Sequence, residues 1–159
     1  MVWRRYPSWP LAASFGLAVL AGCAQNPLVG SASVPPIPAG AARLWFYRLY
    51  IPSESRNMTA VSMNGVYAGY SRLGGAFYRD VPPGLYHIEV ESYGRDIDQS
   101  TNAVMVPGQE AYVRVDSLRS WATGYGPRGM AGRDTFYARL IVPQTARVEI
   151  VQSFYDGGS

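Results

Sequence analysis

Few side chains in this chain of 159 residues are suited to covalent or acid–base chemistry. It contains one cysteine, Cys23, and one histidine, His87. A Ser-His-Asp triad or a histidine-based metal site would have to use His87. Glu89 and Glu91 follow at alternate positions, a spacing that suits an acid–base pair but also arises on the wet face of every exposed strand. We favour the solvated face, and we predict no catalytic residue, no metal and no cofactor.

A glycine-rich stretch, GYGPRGMAGR at residues 124–133, is the other candidate for chemistry. A phosphate-binding loop of the G-x-x-x-x-G-K-[ST] type needs a lysine and a strand-to-helix context. Because this stretch has neither, we expect no nucleotide site, and the chain is predicted not to be an enzyme.

Cys23 directly follows an uncharged apolar run. Arg4 and Arg5 precede it, and the span from Leu11 to Gly22 is shorter than the roughly 20 residues that a transmembrane helix needs. The pattern predicts a cleaved signal peptide over residues 1–22. A signal-peptidase site of the ordinary type, after Ala21-Gly22, is one reading.

The alternative that we favour rests on Leu20-Ala21-Gly22-Cys23, which resembles the lipobox of bacterial lipoproteins. The resemblance implies acylation of the Cys23 thiol, cleavage between Gly22 and Cys23, and a lipid-anchored mature protein. An acylated sulfur also removes the liability of an unpaired thiol in an oxidising compartment. Ala24, rather than Asp, at the next position implies sorting to the outer membrane, with the chain facing the periplasm.

The charge pattern argues against nucleic acid as a partner. All fourteen basic residues are arginine, and removing residues 1–22 leaves twelve arginines against eleven acids, a formal charge of +1. No basic cluster remains that would follow a phosphate backbone.

The chain is predicted to contain one folded domain on a tether. Residues 23–42 hold the cysteine and then mainly Pro, Gly, Ser and Ala without charge, which is typical of a flexible linker. Residues 43–159 are long enough for one domain with one core.

Within this domain, apolar residues recur with period two and are interrupted by turn residues, which predicts an all-β, antiparallel domain. The architecture favoured is a single β-sandwich, with a small β-barrel as the alternative. The predicted strands are Leu44–Tyr50, Thr59–Met63, Val66–Tyr70, Ala76–Asp80, Leu85–Ser92, Asn102–Val106, Ala111–Ser117, Phe136–Val142 and Ala146–Gln152.

Two turns have recognisable sequence signatures. Asn64-Gly65 between apolar runs predicts a type I′ hairpin, because both residues tolerate positive φ. The stretch after Pro82-Pro83-Gly84 should place Tyr86, Ile88 and Val90 on the buried face and His87, Glu89 and Glu91 on the wet face.

The order of RLWFYR, VSMNGVYAGY, FYRDVPPGLYHIEVES and QEAYVRVDS resembles the bacterial lipoproteins of domain-of-unknown-function family 2846, and its middle resembles PEGA-type β-sandwich modules. These motifs are turn and core positions. The resemblance therefore implies a fold and assigns no functional residue.

Two segments are candidates for binding. Residues 119–133 bring together arginines, glycines and aromatic rings, and we predict a partner-binding loop there, with disorder as the alternative. In the first strand, Trp45 and Tyr47 alternate with Leu44 and Phe46, so one pair is predicted to be core while the other faces outward or lies under a loop. The predicted partner-binding residues are Trp121, Tyr125, Arg128 and Arg133.

The function expected is a membrane-anchored, non-catalytic binding or scaffolding module of the cell envelope, with an envelope protein or a glycan as partner. The alternative is a glycan- or peptidoglycan-binding domain that uses exposed aromatic rings with Arg48 or Arg72. A third possibility, an envelope hydrolase, would need an acid, base or nucleophile cluster near His87.

Overall fold

The computed structural model describes residues 26–121 and 132–159, with side chains throughout these ranges except at 119–121, 132 and 133. Two sheets pack face to face, so the predicted β-sandwich is confirmed, and over these residues the sheets do not join into the alternative small barrel. The elements described are β1 (Ala42–Tyr47), β2 (Thr59–Met63), β3 (Val66–Ser71), β4 (Gly75–Val81), β5 (Gly84–Val90), β6 (Thr101–Met105), β7 (Glu110–Trp121), β8 (Gly132–Ile141), α1 (Pro143–Ile150) and β9 (Phe154–Gly158).

The four-stranded sheet is purely antiparallel, whereas the five-stranded sheet is mixed. One has the order β8-β7-β1-β4-β9 and the other the order β3-β2-β5-β6. The strands β1 and β7 run parallel, as do β4 and β9, so the predicted antiparallel topology holds for the four-stranded sheet but not for these two pairs of the five-stranded sheet. Parallel neighbours require long crossover connections, and local periodicity carries no signal for them.

Both predicted turns occur. Asn64 has φ 50° and Gly65 has φ 78°, as a primed hairpin turn requires. The Pro82-Pro83 turn separates the end of β4 in one sheet from the start of β5 in the other. After it, Ile88 and Val90 are buried while Glu89 and Glu91 are exposed, which confirms the predicted alternation of β5.

The strand β1 is buried on both faces because each face meets a different core. Leu44 and Phe46 point into the space between the sheets. Trp45 and Tyr47 point to the opposite side and pack in a second cluster with Ala146 and Ile150 of α1. The five-stranded sheet is therefore covered on its outer face by a helix.

The helix α1 replaces the predicted strand Ala146–Gln152, which is wrong. Pro143 stands at the first helical turn, where its missing N–H costs nothing, and Ala146 and Ile150 are four residues apart on one buried face. The strand that follows, β9, was not predicted, because its Asp156-Gly157-Gly158 sequence is typical of a loop.

Residues 26–41, predicted as part of a flexible tether, lie against the domain. The Val29 N–H donates to Ser153 O at 2.8 Å, and the Tyr155 N–H donates to Pro27 O at 2.7 Å. Val29 and Val34 pack on the second cluster, and Pro35 O accepts a hydrogen bond from Arg43. The packed region thus begins before Arg43, since these few apolar side chains and backbone groups find partners along β9 and β1.

Candidate ligand-binding cleft

The residues singled out for acid–base chemistry lie on an exposed strand face. His87 Nδ1 is 2.8 Å from Asn102 Oδ1, and Nε2 is 3.6 Å from Glu89 Oε1. The His87 and Glu89 side chains are about half exposed. This is the arrangement of a solvated sheet face. Over the described residues, no group of three or more His, Cys, Asp and Glu side chains is placed to hold a metal ion.

The first-strand aromatics do not form a platform for sugar rings. Trp45 is 4% and Tyr47 1% exposed, because α1 covers them. Arg48 is completely buried, so neither the two rings nor this arginine is available to a ligand. The glycan-binding alternative cannot use these three residues.

The structure describes no side chain of the other predicted site residues. Gly22 and Cys23 precede residue 26, and Tyr125 and Arg128 fall within 122–131. Trp121 ends β7 and Arg133 lies in β8, so the prediction of a loop over residues 119–133 is wrong at both ends, where the chain forms paired strands. The side chains of Trp121 and Arg133 are not described.

A cleft that the sequence analysis did not predict runs along one open side of the sandwich, between β3 of one sheet and β4 and β9 of the other. It has a volume of about 470 Å³, within the usual range of small-ligand sites. We call it the open-side cleft. Its principal side chains are Met58, Tyr67, Tyr70, Arg72, Phe77 and Arg79.

Two tyrosines dominate the rim. Tyr67 and Tyr70 are 56% and 58% exposed, and their ring centroids lie 5.3 Å apart in an edge-to-face arrangement. Met58, 64% exposed, lies beside them. Binding sites commonly expose clusters of large apolar side chains, whereas the remaining surface of a protein usually does not.

A β-bulge brings the two tyrosines together. Residues three apart on a regular strand point to opposite faces. Here the register shifts between Val61 and Ser62, so that Tyr67 lies opposite Ser62 and Tyr70 opposite Ala60. Since Ala60 and Ser62 share one face of β2, both tyrosines share it too. The isolated glycine of VYAGYS is compatible with a bulge but does not show that one is present, and a regular strand was predicted, which is why the pair was missed.

Glycine forms the floor of the cleft opposite Phe77. A β-carbon on Gly69 would lie 2.7 Å from the Phe77 ring, closer than side chains approach one another. The bulge and the absence of a side chain therefore let β3 approach β4 closely, and the Phe77 ring remains at the base of the cleft.

Two arginines and one carboxylate, Arg72, Arg79 and Asp156, line the cleft. Arg72 donates to both Asp156 carboxylate oxygens near the start of β9. Arg79, on β4, places its guanidinium carbon 5.3 Å from the Phe77 ring centroid. The guanidinium donates one hydrogen bond, to Tyr78 O at 2.8 Å. Among the residues that the structure describes, no carboxylate pairs with Arg79. A guanidinium has five N–H donors, so most of them are available to an anionic ligand group.

A second cavity of about 480 Å³ adjoins the cleft and shares Met58 and Tyr70 with it. It extends toward Glu91, Tyr93 and Asp134. The second cavity therefore leads away from β4 and β9 toward β8, at the other edge of the five-stranded sheet.

A buried polar network holds the loop that presents Met58. Arg48 donates to Asn57 O at 2.9 Å and to Ser117 Oγ at 3.0 Å, and also to Ser55 O. Burial lowers the pKa of Arg48 below its usual value, although neighbouring Glu54 counteracts the effect. The guanidinium is therefore a structural anchor for the segment between β1 and β2, not a ligand group.

Comparison with known proteins adds no identity. No protein-family model and no characterised protein matches the sequence. The helices in the described part of the chain are all too short or too polar to cross a membrane.

Proposed function

We propose that the protein is a lipid-anchored, non-catalytic binding module of the bacterial envelope, and that the open-side cleft is its ligand site. The observation that carries the proposal is that the exposed Tyr67–Tyr70 pair lines the same cleft as Arg79, an arginine without a carboxylate partner among the described residues. Rigid aromatic area and an arginine fork are the side chains that dominate binding energies at interfaces.

The anchoring half of the proposal rests on Leu20-Ala21-Gly22-Cys23 and is tested there. Replacing Cys23 by Ser removes the thiol that would be acylated, so fatty-acid labelling and processing before residue 23 should both stop. Replacing Gly22 by Ala, which keeps a small residue before the cut, is the matched control and should mature normally. Normal maturation and outer-membrane fractionation of the serine variant would contradict the anchoring proposal.

The binding half is tested by site-specific photo-cross-linking in intact cells. A benzophenone amino acid at Tyr67 should capture a ligand, and the same group at Val148, exposed on the outer side of α1, should not. A third position, Tyr125, reports on residues 119–133, the segment that the sequence predicts to bind a partner. Capture from Tyr125 but not from Tyr67 would move the binding site away from the cleft.

A glycan is the second candidate ligand. Tyrosine rings stack on the apolar faces of sugars, and Arg79 would bind a sugar carboxylate. This version of the glycan alternative uses Tyr67, Tyr70 and Arg79 in place of the buried Trp45, Tyr47 and Arg48. Pull-down with purified peptidoglycan, comparing the full-length chain with its Tyr67→Ala variant, tests it, and equal retention of both would refute it.

A further inference from the structure

The strand β3 presents an unprotected edge to the open-side cleft. It is the end strand of the four-stranded sheet, and over the described residues no other strand pairs with its free side. Edge strands are normally protected by charged residues or proline. Val66–Ser71 has neither, since its sequence is VYAGYS.

The backbone groups on this edge point outward at both tyrosines. Ala60 O accepts a hydrogen bond from the Glu91 N–H, so the backbone of Ala60 faces β5. Alternate residues of a strand direct their backbone groups to the same side, so those of Ser62 face β5 as well. Tyr67 and Tyr70 lie opposite these two residues and therefore do not bond to β2. Their N–H and C=O groups therefore point away from β2, toward the free side of β3.

The space beyond this edge suits an extended chain. From Gly75 to Arg79 the wall formed by β4 is roughly 13 Å long at the usual rise of a strand, which is about four residues. The Gly69–Phe77 contact makes an apolar floor midway, and Arg79 lies at one end. A segment added beside β3 would therefore meet an apolar surface first and a cation at the end of its run.

We propose that β3 accepts an extended polypeptide segment of a partner as a fifth strand of this sheet. Its apolar side chain would lie over Gly69 and Phe77, and its carboxylate would bind Arg79. The proposal rests on the proposed function, since it takes the open-side cleft as the ligand site, and it names the ligand's class. Backbone pairing at Tyr67 and Tyr70 favours a peptide over a glycan, because a sugar would use the rings and leave the backbone donors and acceptors unpaired.

Selection from a random octapeptide library on the purified full-length chain supplies the probe. The enriched peptides should alternate apolar residues and carry an Asp or Glu at a constant position. The most enriched sequence is then synthesised with a single N-methyl group at each position in turn. Strand addition predicts that methylation weakens binding about five- to tenfold at alternate positions only, because alternate N–H groups face β3.

Arg79→Gln supplies the test of charge. It should weaken binding of the acidic peptide about tenfold and leave binding of its Glu→Gln counterpart unchanged. Thermal melting of the variant checks that the domain is intact, and Arg56→Gln, a substitution at an exposed arginine that does not line the cleft, is the matched control.

Several results would overturn the proposal. They are the absence of enriched peptides, equal effects of N-methylation at all positions, or equal loss of the acidic and neutral peptides on Arg79→Gln. If one of these results is obtained while cross-linking at Tyr67 captures a ligand in cells, or while peptidoglycan is retained, strand addition fails and the binding function stands. If the cleft captures nothing, the two proposals fail together.

Discussion

Replacing Arg48 by Met should destabilise the domain by about 3–4 kcal/mol. The methionine keeps an apolar stem beside Phe136, whose ring centroid lies 5.0 Å from the guanidinium carbon, so the loss reports on the charge and the hydrogen bonds. The acceptors Ser55 O, Asn57 O and Ser117 Oγ would lose a buried donor. Each buried polar group left without a partner costs about 1–3 kcal/mol of stability. Removing the buried cation offsets part of this loss, because its desolvation is no longer required on folding.

The matched control is Arg72→Met. The Arg72 side chain is 38% exposed and its ion pair with Asp156 lies at the surface, so the same substitution should cost no more than about 1 kcal/mol. Urea denaturation at pH 7, followed by circular dichroism, measures both variants. Equal losses, or a loss below about 1 kcal/mol for Arg48→Met, would refute the view that Arg48 anchors the segment between β1 and β2.

The same experiment tests a consequence for the cleft. Met58 lies one residue beyond the Asn57 carbonyl that Arg48 holds. In Arg48→Met, amide exchange should therefore accelerate over residues 54–58 under native conditions, ahead of global unfolding. Exchange that accelerates uniformly over the described domain would show that the network stabilises the whole domain and not this loop.

Three further predictions concern backbone and packing. Gly65→Val should cost roughly 1–3 kcal/mol because φ is +78°, whereas Gly65→Asn should cost less, and equal midpoints in urea would contradict a strained turn. Tyr47 donates to Glu149 at 2.6 Å, and burial, helped by this bond, raises its pKa above 10, so Tyr47→Phe should cost about 1.5–3 kcal/mol at neutral pH. The unfolded tyrosine ionises near pH 10 while the folded one keeps its proton, so this difference in urea-unfolding free energy between wild type and variant should shrink as the pH rises above 10, and a constant gap would be contrary evidence. Gly69→Val should cost about 1–3 kcal/mol by pressing on the Phe77 ring, measured in the same way, and an unchanged midpoint would mean that β3 and β4 separate easily.

Local patterns in the sequence were sufficient to predict the Asn64-Gly65 hairpin and the buried faces of individual strands. The strand Thr59–Met63 is found with the predicted bounds, and the turn at Asn64-Gly65 has the predicted positive φ angles. Both features depend on residues adjacent in the chain. The alternation of β5 belongs to the same class, since burial on one face alone determines it.

The helix α1 shows where local patterns fail. The stretch TARVEI contains β-branched residues and reads as a strand, yet a proline at the first helical turn and two buried residues four apart make it helical. That choice depends on the apolar outer surface of the five-stranded sheet, where Trp45 and Tyr47 need a cover. The requirement for a helix over Trp45 and Tyr47 can be recognised only when the strands are assembled into the sheet.

The Tyr67–Tyr70 pair shows the same limit for the site. Two tyrosines three residues apart predict opposite faces of a strand, and a one-residue bulge reverses that prediction. Arg79 is equally hidden, because its lack of a carboxylate partner among the described residues becomes visible only when β4, β9 and β3 are placed together. The sequence patterns therefore indicated residues 119–133 and the first strand as binding segments, and not the open-side cleft.

The location of the cleft follows from how the two sides of the sandwich are closed. On the side of β8, the segment between β5 and β6 covers the edge, with Gln99 O accepting from the Ala138 N–H and Asp134 O from the Gly94 N–H. On the side of β9, the residues around Pro27 occupy the outer edge, and α1 covers the face of the same sheet. The described residues provide no corresponding cover for β3, so its edge and the aromatic rings beside it stay open. An uncharged edge that lines the same cleft as Arg79 would offer a further strand both backbone hydrogen-bonding groups and a cation, so in the binding that we propose the backbone of β3 contributes more than its side chains.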